Sequence, residues 1–406
     1  MKITGKELKT MNIQEYAEEI QGEITDWRRA MHQFPELGVS LPKTARYIAG
    51  QLDRMGISYS KCADGSGIVA LIGKHNTGKT VGLRADMDGL PVSEKTGLDF
   101  ASSNGNMHAC GHDSHAAAAL GAAKILKAME DELPGRVKIL FQPGEETLDG
   151  AKAMIKDGAL ENPKVDVLLA MHTMNKENVK NGSIEIVENE RHVYSASSDA
   201  YIIRIYGKGG HAAMPENCVD PILPLSQLIA AIQQIVSREI APIEPAVITI
   251  SGVHAGNESF NVIPDYAELR GTYRTQNPFV RTYITKRLKE LASAVCTAFR
   301  ASCDVQIEEG VPSLVNSPEV LDTIADTYQT MKWKQDLIRS STPLMGGEDA
   351  ACFFEKVPGG YFMFLTNKTC KNSYYPVHNA MYDLDDEILY QASGLLAETI
   401  VNLMKK

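Results

Sequence analysis

No apolar run in the sequence approaches the roughly 20 residues that a membrane-spanning helix needs. No CxxC pair occurs either. The seven cysteines, at 62, 110, 218, 296, 303, 352 and 370, are odd in number and scattered. That pattern argues against a disulfide framework and reads as reduced thiols. Positive charge is in deficit, with 41 Lys and Arg against 51 Asp and Glu and a formal net charge of -10. Charge-driven binding of nucleic acid or an anionic membrane needs clustered Lys and Arg, so neither is an expected partner. The first residues lack the apolar core of a signal peptide, and a cytoplasmic location is expected. Internal repeats and low-complexity segments are also lacking.

What is present suits a soluble enzyme of more than one domain. The chain has 406 residues, of which 44% are hydrophobic and 23% charged, too long for one typical domain. Apolar residues recur at helical spacing over 12–32, and Gly56 closes a second helix that starts near Leu41. Nearly continuous apolar runs then alternate with helical patterns: GIVALIG, TVGLRADMDGLP, a helix over 113–130, GRVKILFQPGEE, a helix GAKAMIKDGAL, and VDVLLAMHT. Such alternation predicts an α/β layer around a buried, mostly parallel sheet. The texture changes near residue 190. The order over 190–311 reads βαββαβ, a ferredoxin-like α+β unit inserted into the larger domain, which residues 1–189 and 312–406 complete. GKHNTGKT at 73–80 is one position short of a phosphate loop and reads as a hairpin turn.

Chemistry-bearing residues gather at predicted strand ends. Asp86 and Asp88 follow one apolar strand. His108, Cys110, His112, Asp113 and His115 sit in MHACGHDSH. Glu145 and Glu146 follow the strand Val137–Gln142, His172 ends another, and His378 lies near the C-terminus. Ligands of an open α/β sheet bind beyond the carboxyl ends of its strands. Several segments delivering Cys, His and paired Glu to that edge point to a metal centre. Cys110 and His112 are two apart, and in an extended segment they face the same way. A thiolate can bridge two divalent cations, and imidazole is a good ligand for Zn, Mn, Co or Ni. Two adjacent glutamates cannot share one coordination position, so one is read as a ligand and the other as a general base toward a metal-activated water. Asp113 is placed to cap the following helix, and Asp86 or Asp88 to orient a ligand histidine. Taken singly, each residue has a plainer reading. Cys110 could be a buried thiol, the Glu pair a solvated helix start, and His172 a satisfied core histidine.

The set MHACGHDSH, FQPGEE, AMHT, GKGGHAAMPE, NVIPD, GGEDAACFF and VHNAMYD resembles the di-metal aminoacylase/carboxypeptidase family, in its amidohydrolase branch. The likeness runs from RRAMHQFPELG to HNAMYDLDDEIL. It implies an α/β catalytic domain with a mostly parallel sheet and an inserted ferredoxin-like lid and dimerisation domain. It implies two divalent metal ions (Mn, Zn, Co or Ni) held by Cys110, His112, Glu146, His172 and His378, with Glu145 as the base. His211 would stabilise the oxyanion, and Asn261 and Arg270 would contact substrate. The implied reaction is hydrolysis of an N-acyl amino acid to a carboxylic acid and a free amino acid. The implied assembly is a homodimer, with a tetramer as the alternative. Two other readings stand beside it: a dipeptidase or carboxypeptidase, and a non-catalytic metal-binding homologue. Ser114 and Gly144 stand where alanine is common in the branch. The segments 346–354, 271–278 and 363–380 also depart from its pattern, which leaves substrate identity open.

Overall fold

A computed structural model of the chain describes residues 11–75, 77–367 and 374–406. Cys370 and the middle of the 363–380 segment lie outside the described residues, as does position 76. The described chain forms two compact units. One runs through His192 and continues with Val315–Thr342 and from Cys352 onward; the other is Val193–Leu314 with Pro343–Ala351. The insertion therefore lies at 193–314 where 190–311 was expected, and Pro343–Ala351, expected in the larger domain, packs with the smaller unit. Backbone pairing is the reason. The Leu344 N–H donates to Tyr194 O at 2.8 Å, and the Ala196 N–H donates to Leu344 O at 3.0 Å.

The larger unit opens with α1 (Ile13–Glu19), α2 (Gln21–His32) and α3 (Pro42–Met55). The single helix expected over 12–32 is thus two, broken at Ile20, whose φ of -95° and ψ of 7° leave the helical region. Gly56, at φ 65°, ends α3 in the left-handed conformation that favours glycine. There follow β1 (Ser58–Cys62), β2 (Gly67–Ile72), β3 (Thr80–Asp86), α4 (His112–Ala128), β4 (Arg136–Gln142), α5 (Gly150–Lys156), β5 (Val167–Met174) and β6 (Ile184–Val187).

The smaller unit contains β7 (Ser198–Tyr206), β8 (Gly210–His211), α6 (Ile222–Gln234), β9 (Ala246–Ala255), β10 (Val262–Ile263), β11 (Tyr266–Thr275), α7 (Pro278–Ala298) and β12 (Ser302–Val311). Its four long strands form an antiparallel sheet in the order β9-β11-β7-β12. With its two helices, this is the ferredoxin-like arrangement read from the sequence. Alternation in β7 buries Tyr201, Ile203 and Ile205 against Leu228 and Ile232 of α6 and Leu288 of α7.

The chain then returns to the larger unit with α8 (Pro318–Thr330), β13 (Leu337–Ser340), β14 (Gly359–Leu365) and α9 (Leu389–Lys405). Among the described residues, eight strands form its sheet in the order β1-β2-β4-β3-β5-β14-β6-β13. The central run β4-β3-β5-β14 is parallel. Both faces of these strands are buried, as their continuous apolar runs require. The connection at 73–80 is not a hairpin. β4 lies between β2 and β3, antiparallel to one and parallel to the other. Gly73 and Gly78 have φ of 107° and 102°, and a Cβ at either would run into the backbone of Pro134 and Gly135 just before β4.

The small residues of α4 serve close packing. Ala116–Ala119, Ala122 and Ala123 are buried. A Cβ on Gly121 would come within 2.3 Å of Ser393 Oγ on α9 and 2.8 Å of Ile24 on α2. The helix behind the His112 segment is thus clamped between two others, which fixes its N-terminus at the end of the parallel strands. No helix of the described residues is long and apolar enough to cross a membrane.

Candidate metal centre

Parallel strands β3, β4 and β5 end together, and each hands a polar segment to the same edge. Past β3 lies Asp88, whose carboxylate accepts three hydrogen bonds. The backbone N–H of Glu145 reaches its Oδ1 at 3.1 Å, the N–H of Glu146 reaches its Oδ2 at 3.1 Å, and His112 Nδ1 lies 3.2 Å from Oδ1. One buried side chain therefore fixes the Glu145–Glu146 turn and the His112 ring. Because Nδ1 is turned to Asp88, Nε2 of His112 is the nitrogen left to meet an ion. That atom is buried without a hydrogen-bond partner, and so is Glu146 Oε1.

Cys110 and His112 meet for a different reason than strand alternation. Gly111 between them is left-handed, with φ 81°, and His112 is already the first residue of α4. A Cβ on Gly111 would lie 2.7 Å from Thr173 Oγ1, so the turn is packed directly on β5. The Sγ of Cys110 then lies 3.4 Å from Nε2 of His172 on that strand. Nδ1 of His172 donates to Thr173 O at 2.6 Å, which again leaves Nε2 as the ligating nitrogen. His378 arrives from a loop at φ 66°. Its N–H donates to Ala109 O at 2.7 Å, and its Nε2 lies 3.4 Å from Glu146 Oε1.

One donor atom each of Cys110, His112 and His172 lie within 4.8 Å of one another; so do those of Cys110, Glu146 and His378, and those of His112, Glu145 and Glu146. Two donor groups that share one sulfur match what a bridged pair of divalent cations requires. The electrostatics agree. Burial pushes the Cys110 thiol far above its ordinary pKa. Burial also raises Glu146 and, with His115 beside it, holds His172 well below the usual imidazole value. Burial disfavours charge on His112 as well, but Asp86 and Cys110 outweigh it and carry that pKa well above the ordinary one. A divalent cation among these donors would favour the deprotonated thiol, carboxylate and imidazole together. The residues fit such an ion.

A further donor group joins His112 to Asp86 and His115, and of these Asp86 and His115 are already engaged in hydrogen bonds. Asp86 takes Arg84 Nη1 at 2.6 Å and His115 Nδ1 at 2.5 Å, while His115 Nε2 accepts the Thr173 N–H at 2.8 Å. Of the two aspartates expected to orient a ligand histidine, Asp88 therefore touches one directly and Asp86 does not. Asp113 does not cap α4. Gly111 holds the cap position, and the Asp113 carboxylate turns to Arg28 Nε at 2.8 Å and His32 Nδ1 at 2.7 Å. His32, unremarkable in the sequence, is buried with its other nitrogen 3.1 Å from Glu94.

His211 and Asn261 belong to the smaller unit and lie side by side. His211 pairs with Val262 across the β8–β10 ribbon, and the Ala212 N–H donates to Asn261 O at 3.0 Å. His211 Nδ1 accepts the Ala213 N–H at 3.0 Å, which leaves Nε2 to carry the ring proton of this exposed residue. Arg270 is not part of that ribbon. It lies on β11, exposed, packed over Gly252 and 3.9 Å from Glu268.

Residues 82–402 match the family described as Peptidase family M20/M25/M40. The chain belongs to that family. It is 36% identical over 391 residues to thermostable carboxypeptidase 1 of Saccharolobus solfataricus, spanning 93% of this chain and 95% of that one. It is 35% identical over 386 residues to an N-acetyl-L-cysteine deacetylase of Bacillus subtilis, spanning 95% and 89%. Among solved structures, the YXEP protein of Bacillus subtilis, described as a dinuclear metal binding peptidase from the M20 family, superposes with a TM-score of 0.79. That pair shares 31% identity, covering 96% of this chain and 99% of the other. This M20 chain is accordingly a metal-binding hydrolase that cleaves amide bonds.

Asp88 offers a direct check on the donor geometry. Asp88→Ala removes the acceptor for two backbone amides and for the His112 ring. Metal affinity is expected to fall about 10–100-fold, read by competition with a chromophoric chelator. An unchanged affinity would remove Asp88 from the site.

Proposed function

We propose that the chain hydrolyses N-acyl amino acids, releasing a carboxylic acid and a free amino acid. The observation that carries this reading is the gathering of five donors, Cys110, His112, Glu146, His172 and His378, with Glu145 beside Glu146 on the turn that Asp88 holds. In it, those five side chains would hold two divalent ions, Mn, Zn, Co or Ni. When bound, the ions supply Lewis-acid polarisation of the amide carbonyl and a lowered pKa for water at the site. Glu145 takes a proton from that water as its oxygen bonds to the carbonyl carbon. Glu145 then gives the proton to the amide nitrogen as the C–N bond breaks. His211 is assigned to the oxyanion that develops on the carbonyl, with its Nε2–H as donor. Asn261 and Arg270 are assigned to the amino acid's carboxylate. The M20 membership, the Bacillus deacetylase and the earlier motif resemblance support these roles. The working state proposed is a cytoplasmic homodimer, with a tetramer as the alternative.

A second reading, a carboxypeptidase or dipeptidase, is favoured by the name of the Saccharolobus relative. One experiment separates the two. Metal-stripped enzyme is refilled in turn with Mn, Zn, Co or Ni and given acetyl, benzoyl, indoleacetyl and long-chain acyl amino acids beside dipeptides. Metal-dependent cleavage of an acyl class, with dipeptides left intact, is the expected result. Cleavage of dipeptides alone would replace the proposal with the second reading. Metal binding without any cleavage would favour a non-catalytic homologue.

A further inference from the structure

We infer that His115 is a positioning residue for His172 and acts on it through Thr173; this rests on the reading of His172 as a metal ligand. The register of the sheet supplies the reason. β3 and β5 pair from Val81↔Val167 to Arg84↔Ala170, and there the ladder stops. Beyond Ala170, the edge of β5 that faced β3 has lost its partner strand, and this is the stretch that carries His172. Continued in register, Asp86 would stand opposite His172. Instead, Asp86 and His115 together span the gap.

His115 is buried on α4 and acts as a strut between the two strands. Its Nδ1–H donates to Asp86 at 2.5 Å, and Asp86 is itself held by Arg84. Its Nε2 accepts the Thr173 N–H at 2.8 Å and lies 3.0 Å from Thr173 Oγ1. Thr173 passes the constraint on, because its carbonyl accepts Nδ1–H of His172 at 2.6 Å. With the N–H of Thr173 held by His115, the residue keeps one backbone conformation, and its carbonyl keeps aiming at His172. That bond sets the His172 tautomer and points Nε2 at Cys110, 3.4 Å away. The edge-to-face contact of the two rings, 4.4 Å between centroids, completes the support. Both His115 nitrogens are engaged, so the strut is not itself a donor to an ion.

The test uses metal affinity and stoichiometry rather than turnover. His172→Ala is expected to lose one of the two ions. His115→Ala is expected to weaken that same ion about 10–100-fold, leaving the other at wild-type affinity. His115→Gln can still accept the Thr173 N–H through its amide oxygen, and its affinity is expected to stay within about threefold of wild type. His115→Asn reaches only the Asp86 end and is expected to behave as Ala does. Cobalt-substituted protein gives a second readout. The visible spectrum of His115→Ala should shift toward that of His172→Ala, and that of His115→Gln should not. If His172→Ala keeps both ions, the ligand reading falls and takes the inference with it. If His172→Ala loses one ion while His115→Ala binds both as wild type does, only the positioning role is overturned. Equal affinities for the Gln and Asn variants would also overturn it, because the bond to Thr173 would then not matter.

Discussion

Replacing Glu145 with glutamine is expected to lower kcat by roughly 10²–10⁴-fold, the range for removing a general base, while metal content stays at the wild-type level. The two halves of this expectation have separate causes. Glutamine has nearly the shape of glutamate but cannot take a proton from water. Each tenfold loss corresponds to about 1.4 kcal/mol of transition-state stabilisation. Metal content is expected to survive because the turn is positioned by its backbone. The N–H groups of Glu145 and Glu146 bond to Asp88 whatever side chain stands at 145. Glu146→Gln is the contrasting variant. Its carboxylate belongs with Cys110 and His378 in one donor group, so weakened metal binding should accompany its loss of turnover. Steady-state kinetics with elemental analysis of each variant decides the division of labour. Near-normal turnover in Glu145→Gln would move the base elsewhere, and loss of metal from it would make Glu145 a ligand.

The place of these glutamates at the sheet edge was legible in the sequence because the parallel strands write it there. Past Lys138, β4 is apolar up to Gln142 and the chain turns polar where it leaves the sheet, so the end of the run marks the crevice. The same holds for Asp86 at the end of β3 and His172 near the end of β5. Other features leave no such mark. The convergence of Cys110 and His112 depends on the left-handed Gly111, which two-residue spacing does not reveal. The strut made by His115 depends on where two strands part, and that is a property of register rather than of either strand. The position of β4 between β2 and β3 comes from pairing across more than 50 residues, so a Gly-containing connection looked like a hairpin. Least legible of all was the charge cluster under α4. Asp113 read as a cap for the following helix, and apolar periodicity along α2 gives no sign that Arg28 or His32 is buried against it.

That cluster carries the largest expected effect on stability. Arg28→Met is expected to destabilise the fold by about 3–5 kcal/mol, the scale of leaving a buried charge without its partner. Arg28 and Asp113 are both almost fully buried, with Nε 2.8 Å from Oδ2. Arg28 also reaches Asp386 at 3.3 Å and packs over the Phe100 ring, 5.0 Å from its centroid. Methionine fills much of the volume but leaves Asp113 with His32 as its remaining charged support at 2.7 Å. Urea midpoints of metal-free wild type and variant measure the difference. Arg28→Met combined with Asp113→Asn should recover part of the loss, since the stranded charge is then gone and the two sites couple. Acid should narrow the gap between wild type and Arg28→Met. Burial works against the charge on Asp386, but Arg29 and Arg28 outweigh it and hold its pKa below the ordinary 3.8. A carboxylate depressed in the folded state stabilises above its unfolded pKa and loses that contribution as pH falls through the folded one. Without Arg28 the depression is smaller, so less stability is lost on acidification. A gap that stays constant from pH 7 to about pH 3 would mean that Arg28 contributes packing rather than charge.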